Sequence, residues 1–243
     1  MNRVDAAQTV GEDEAVTAAA IEIAGVHAVC DPLGALHLPH SETLVVSDLH
    51  LEKSAAFARR GMMLPPYDTA LTLDLLDVVI ARYRPRRVIS LGDSFHDAHG
   101  AARLPGCAAG RLRRLMTGRE WYWIAGNHDP DRPGDLDGHS VREVQLDGLR
   151  FRHEPSAESG TARGEVAGHL HPAARVVRRG KGVRRPCFAT DGERLILPSF
   201  GVMTGGLNLR HGAFHGLFDR HRLTAHLLGR ERIYSVPFAR LTG

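Results

Sequence analysis

Residues 43–50 read Thr43-Leu44-Val45-Val46-Ser47-Asp48-Leu49-His50. A short apolar run with paired β-branched residues reads as a buried strand, and this one delivers Asp48 and His50 straight off its end. The arrangement recurs along the chain. Val88 to Leu91 runs into Gly92-Asp93, and Trp121 to Ala125 into Gly126-Asn127-His128-Asp129. Gly164 to Ala167 runs into Gly168-His169-Leu170-His171. Four motifs with metal-capable side chains thus fall at the carboxyl ends of predicted strands, the edge where layered α/β proteins gather ligands. Glycine ahead of the polar residue lets the backbone turn sharply off the strand. Carboxylate and amide oxygens and imidazole nitrogens suit manganese, iron or zinc.

Taken singly, each motif has a plain reading. Asp-x-His is common in surface loops, Gly-Asp suits a tight turn, and Asn-His-Asp before Pro130 fits a helix cap. Their shared position at strand ends is what argues against four coincidences. Around them, the apolar spacing of Leu71, Leu75, Val78 and Val79 predicts a helix over 68–83, ended by Pro85. A weaker helix is predicted over Ala101 to Leu115. Hairpins are predicted over Ile21 to Leu38 (one limb Ile21 to Cys30, the turn at Asp31 to Gly34), over Val141 to Arg152, and over Arg184 to Leu197. Residues 1–20 read as a polar tail. Strands alternating with helices early, and hairpins late, predict two layered sheets flanked by helices in a single domain over residues 21–243.

The chain has 243 residues, 43% hydrophobic, enough for a globular core. Its 31 Lys and Arg against 28 Asp and Glu give a mild basic excess, which permits an anionic partner without demonstrating one. Nearly all of that charge is Arg; Lys53 and Lys181 are the only lysines. Cys30, Cys107 and Cys187 are far apart and form no CxxC pair, which argues for a reducing compartment. The acidic start lacks the pattern of a signal peptide, and no apolar run reaches about eighteen residues. A cytoplasmic protein with no membrane partner is the expectation.

Together, Asp48-x-His50, Gly92-Asp93, Gly126-Asn127-His128-Asp129, His153 and Gly168-His169-x-His171 resemble the calcineurin-like metallophosphoesterase superfamily over roughly residues 45–171. The resemblance implies a four-layer αββα sandwich of two mixed β-sheets flanked by helices, with two divalent metal ions at one edge. It implies that Asp48, His50 and His171 hold one cation, that Asn127, His153 and His169 hold the other, and that Asp93 bridges them. His128 would stand beside the cations, stabilising the phosphate or protonating the leaving oxygen. Asp129 would orient His128 or a ligand imidazole. His153 departs from many relatives in having no glycine before it, and a buried structural histidine is the competing reading there. Two cations about 3.5–4 Å apart clamp phosphate oxygens and activate a bridging water for attack on phosphorus. Mn2+ is the first expectation, with Fe, Zn and Mg as alternatives.

Further stretches narrow the resemblance. Asp48 to Ser54, Phe57 to Gly61, Leu64 to Thr69, Leu91 to Asp97, Phe151 to Pro155 and Leu197 to Gly201 are similar to the bacterial ligase-associated DNA damage response phosphoesterases, the PdeM family. That implies a phosphodiesterase or endonuclease acting on DNA, working with an ATP-dependent DNA ligase and a helicase. Arg59, Arg60 and His96 are the candidate substrate contacts. Tyr67 and Phe95 are candidates for stacking on bases, whereas Trp121 and Trp123, alternating in a strand, read as core. Arg175, Arg178, Arg179, Lys181, Arg184 and Arg185 form a basic stretch whose glycines, Gly180 and Gly182, suggest a hairpin tip beside a nucleic-acid strand. A solvated turn is the plain alternative. Residues 199–208 lack a P-loop pattern and read as a loop at the rim of the site. A small-molecule nucleotide pyrophosphatase or phosphomonoesterase on the same fold is the competing function. A scaffold that has lost its chemistry is a third, disfavoured because every expected ligand is present.

Overall fold

Two mixed sheets lie face to face, and each sends parallel strands toward a shared edge. The computed structural model describes residues 17–129, 135–157 and 163–243. Residues 1–16 of the expected tail, and Pro130, lie outside them. The first sheet holds β1 (Ala19–Ile23), β2 (Val26–Cys30), β3 (Leu36–Leu38), β4 (Thr43–Val46), β5 (Arg87–Ser90), β6 (Glu120–Ile124) and β7 (His139–Val141), in that order. The strands from β1 to β4 are antiparallel neighbours, and those from β4 to β7 are parallel. The second sheet contains β8 (Glu143–Leu146), β9 (Leu149–Arg152), β10 (Glu165–Ala167), β11 (Pro172–Arg178), β12 (Lys181–Thr190), β13 (Arg194–Ile196), β14 (Leu207–Asn208), β15 (Thr224–Leu228) and β16 (Ile233–Pro237). Its spatial order is β14-β11-β12-β13-β10-β9-β8, with β15 on β12 and β16 on β15. At its centre β9, β10 and β13 are parallel.

A parallel strand covered on both faces needs apolar residues at successive positions, and all four residues of β4 are buried. Val45, Ile89 and Ile124 point one way, into a core shared with Phe151, Val166, Phe188 and Leu195 of the second sheet. Leu44, Val46, Val88, Trp121 and Trp123 point the other way. There they meet α2 (Asp68–Tyr83) and α4 (Gly106–Met116) through Leu73, Leu76, Val79 and Leu112. The outer face of the second sheet packs Cys187, Ile196, Ala225 and Leu227 under Leu209, Phe214, Phe218 and Leu241. That covering layer contains the 3-10 turns Gly212–Phe214 and Phe238–Arg240.

The helix over 68–83 is as the spacing predicts. Its first turn clamps α1 (Lys53–Arg59) just downstream of His50: Asp68 Oδ2 accepts from Ser54 N, and Thr69 Oγ1 accepts from Glu52 N at 2.8 Å. Three boundaries differ from expectation. The limb Ile21 to Cys30 is two strands, because Ala24 and Gly25 both take positive φ and turn the chain. The helix over 101–115 breaks into α3 (Gly100–Arg103) and α4, since Pro105 cannot continue α3. Ala19 and Ala20, within the stretch that composition assigns to the tail, pair with Cys30 and Val29. Backbone hydrogen bonds order them where side chains give no pattern. Among the described residues no helix is long and apolar enough to cross a membrane.

Candidate metal centre

The parallel strands fix where the motifs go. Register pairs Val46 with Ser90 and Ser90 with Trp123, so the chain leaves β4, β5 and β6 side by side. In the second sheet Ala167 pairs with both Arg152 and Ile196. His153, Gly168-His169 and Ser199 therefore come off together, facing the loops of the first sheet. Bonds between sheets lock the edge. Phe200 N donates to Ser47 O at 2.7 Å, and Gly201 N to Asp48 O at 3.1 Å. His169 N donates to Asp48 Oδ2 at 3.1 Å.

Two groups of side chains converge there. Asp48, His50 and His171 bring one ligand atom each within 4.8 Å of one another, and so do Asp93, His153 and His169. Asp48, His50, Asp93, His169 and His171 all hold left-handed backbone, with φ between 44° and 63°. Such conformations cost about 1–2 kcal/mol for a residue bearing a Cβ, and their concentration on one edge marks a place where geometry outranks stability.

The glycines serve partly for room. Gly92 has a φ of 81°, but Gly126 and Gly168 carry no left-handed φ. A Cβ on Gly168 would collide with Ser47 Oγ and lie 2.7 Å from Asp48 Oδ2. One on Gly126 would strike Asp93 and lie 2.6 Å from Asp129 Oδ1. At these two positions close approach, rather than a sharp turn, demands glycine.

Hydrogen bonds decide which atoms remain free. His153 Nδ1 lies 2.7 Å from Leu91 O, a carbonyl that can only accept, so Nδ1 carries the proton. Nε2 is left bare, 3.5 Å from Asp93 Oδ2 and 3.2 Å from His169 Nδ1. His128 donates in the same sense from Nδ1 to His96 O at 3.0 Å, which turns its Nε2 to within 3.9 Å of Asp93 Oδ2. Ser47 Oγ and His169 N occupy Asp48 Oδ2. Asp48 Oδ1 stands 3.0 Å from His171 Nε2 without the alignment of a hydrogen bond. These two atoms and His50 Nδ1 are buried with no hydrogen-bond partner. Buried polar atoms are normally satisfied, and three unpartnered ones within a single ligand group suit binding of a cation.

The electrostatics agree. Burial pushes His50 down to about 3 and lowers His169, which keeps their lone pairs open to a cation. Burial also takes His96 down to about 4. At His171 burial is outweighed by the Asp48 carboxylate, which raises the pKa, so a cation there competes with a proton. Burial pushes the Asp48 carboxyl up, but the close His171 imidazole and the other imidazoles around it outweigh that and hold it at about 2. Burial, with the Asp93 charge beside it, raises Asp129 to about 7. Asp129 Oδ2 accepts from Ser94 N at 2.7 Å and Phe95 N at 3.1 Å. It thus braces the loop after Asp93.

The remaining candidates separate. Asn127 lies at the second group through Glu154, which accepts its amide at 2.6 Å and stands 3.9 Å from His169 Nε2. His96 stacks on His128, with ring centres 5.3 Å apart. Arg59 pairs with Asp97 at 2.8 Å, whereas Arg60 is exposed and its charge acts on His96. Trp121 and Trp123 are core, as expected. Phe95 is a correction: it is 1% exposed and packs against Trp123, out of reach of a base. Tyr67 is open to solvent. Sequence reasoning missed Ser47 and Glu154, each next to a motif but of a residue type usual on surfaces. It also missed Lys53, whose Nζ donates to Met203 O at 3.0 Å and whose charge reaches His50 and His96.

The sequence profile described as calcineurin-like phosphoesterase matches residues 42–223, a span that takes in every strand contributing to this edge. The chain belongs to that family. As a calcineurin-like phosphoesterase it is a metal-dependent hydrolase of phosphate esters. The crystal structure of Pseudomonas putida nuclease MPE matches it at a TM-score of 0.71 and 28% identity, covering 90% of this chain and 100% of that one. Yfce, a phosphoesterase from E. coli, matches at 0.39 and 17%, covering 81% and 98%, a likeness too slight to weigh. No curated protein sequence matches.

Proposed function

We propose that this calcineurin-like phosphoesterase uses two divalent cations, Mn2+ foremost, to hydrolyse phosphodiester bonds in DNA. The observation that carries the reading is the pair of adjoining ligand groups whose free atoms face one another at the strand ends. Asp48, His50 and His171 would hold one cation, and Asn127, His153 and His169 the other, with Asp93 as a further carboxylate ligand. When bound, the cations supply Lewis-acid charge for the phosphate oxygens and for the water that attacks phosphorus. His153 is oriented by Leu91 O so that Nε2 faces the site. His128 has its Nδ1 proton committed to His96 O, so Nε2 donates to a phosphate oxygen, or passes a proton to the leaving oxygen, only when the ring carries a second proton as an imidazolium. Lys53 and Arg60 bring positive charge to the side of His96, favouring an anionic substrate there. Similarity to the P. putida nuclease over 90% of this chain supports nucleic acid over a small ester, and the sequence resemblance supports a setting in ligase-associated repair.

The test compares wild type with Asp93→Ala and His128→Ala on plasmid DNA, nucleoside triphosphates and dinucleoside pyrophosphates, an aryl phosphodiester and an aryl phosphomonoester, each with Mn2+. Nicking of the plasmid by wild type that both variants lose supports the reading. Hydrolysis of nucleotides with DNA left intact would replace it with a small-molecule pyrophosphatase.

A further inference from the structure

The positive charge of this chain is concentrated in one ribbon. Between Pro172 and Thr190 there are six Lys and Arg and no Asp or Glu. Removing those six from the 31 of the whole chain leaves 25 against 28 carboxylates, so the rest of the protein is net acidic. The ribbon begins at the metal centre, since β11 starts one residue after His171. It turns at Arg179-Gly180, both with positive φ, the geometry that matches the twist of a tight hairpin. Pairing runs from Ala173 with Pro186 to Arg178 with Lys181. From Arg175 to Arg185 every residue but Val176 is exposed, so this end projects from the sheet. At about 3.3 Å per residue its tip stands roughly 20 Å from Pro172.

Register also sets what the ribbon presents. Arg178 pairs with Lys181, Val176 with Val183, and Ala174 with Arg185. Alternate pairs share a face, so Arg178, Lys181 and Arg185 line one side with two valines between them. Among the described residues Arg178, Arg179, Lys181 and Arg185 form no ion pair. This side borders a hollow of about 740 Å³ shared with β15 and β16, where Arg240 adds a further cation. Cations spaced over an apolar floor match a strand that carries phosphates on one edge and sugar and base faces on the other.

We propose that the β11–β12 ribbon is an arm that binds the sugar-phosphate backbone of a nucleic-acid strand whose scissile phosphate lies at the metal centre. The proposal rests on the nucleic-acid reading above and names the surface that carries it.

The test is the triple variant Arg178→Ala, Arg179→Ala, Lys181→Ala. Anisotropy of a fluorescein-labelled single-stranded oligonucleotide, read in EDTA, needs neither bound metal nor turnover. The variant is expected to bind at least about tenfold more weakly, and the slope of log affinity against log salt is expected to fall by about 2, since each phosphate contact on a single strand contributes about 0.7. Aryl phosphodiester hydrolysis with Mn2+ is expected to stay within twofold of wild type. Unchanged oligonucleotide affinity and salt slope would overturn the arm, and would leave an acidic protein as the fitting occupant. Wild type that hydrolyses the aryl ester but binds no oligonucleotide overturns it too. Loss of binding in the variant, beside a wild type that hydrolyses nothing, sustains the arm and sinks the catalytic reading instead.

Discussion

Asn127 donates its amide nitrogen to Glu154 Oε1 across 2.6 Å, joining the loop after β6 to the loop after β9. A carboxylate only accepts hydrogen bonds, so the nitrogen of the amide must face it and the oxygen must face away. The bond is the largest influence holding the Glu154 carboxyl below the usual range. It explains why asparagine stands here: an aspartate would set two carboxylates against each other.

Glu154→Ala should therefore leave the Asn127 amide free to rotate. The expected result is a 10- to 100-fold loss of affinity for one of two Mn2+ ions, the usual effect of removing a group that orients a ligand, with the other ion held as before. Glu154→Gln should restore most of the loss, because its amide oxygen still accepts, and Asn127→Asp should not. Calorimetric titration of the metal-free protein measures both sites. Wild-type stoichiometry and affinity in Glu154→Ala would show that the contact orients nothing.

Gly126→Ala and Gly168→Ala each push a methyl group into Asp93 or into Ser47 and Asp48. Overpacking of this kind costs about 1–3 kcal/mol, and here it displaces the hydrogen-bonded oxygens of Asp48 and Asp93, whose other oxygens face the site. Both variants should melt at lower temperature and bind Mn2+ more weakly. Gly106→Ala meets nothing within 4 Å and serves as the control. Equal melting temperatures in all three would mean that the edge yields freely.

The strand-end motifs were legible because parallel strands buried on both faces leave continuous apolar runs, and β4, β5 and β6 do so in the sequence. The pairing Ala24-Gly25 escaped notice since a two-residue turn leaves little trace between Ile23 and Val26. Phe95 looked available because it follows Asp93 by two residues; only the register that brings Trp123 beneath it puts it in the core. Glu154 was hidden for a different reason. Its role comes from a partner 27 residues away, and no local pattern encodes that.

Glu165 and Arg194 form a pair across β10 and β13, each 2% exposed, with Arg194 Nε 2.8 Å from Glu165 Oε1. The guanidinium also donates to Leu217 O at 2.5 Å and Ser156 O at 2.6 Å, and Ser156 N donates to Glu165. Removing one partner leaves an uncompensated charge. Glu165→Ala should cost about 3–5 kcal/mol of unfolding free energy, while Glu165→Leu with Arg194→Met should cost much less. Urea unfolding measures both, and a double variant as unstable as the single one would refute the assignment of the loss to stranded charge.

His226 is 8% exposed, pairs across the sheet with Ser235, and has Nδ1 2.8 Å from Ser235 Oγ. Burial pushes its pKa down from 6.5 to about 4. The folded state thus holds it neutral at a pH where the unfolded chain is already protonated. Above pH 6.5 neither state takes the proton and nothing is lost. As pH falls from 6.5 toward 4 the unfolded state gains protons first, so stability drops with a limiting slope of about 1.4 kcal/mol per unit, to a total of about 3 kcal/mol. His50, His96 and His169 shift in the same direction in the metal-free protein, so the share of His226 is a difference between curves. The gap in unfolding free energy between wild type and His226→Gln should stay constant above pH 6.5, and wild type should then fall relative to the variant by up to about 3 kcal/mol as pH approaches 4. Parallel curves across that window would mean that His226 takes up its proton without cost to the fold.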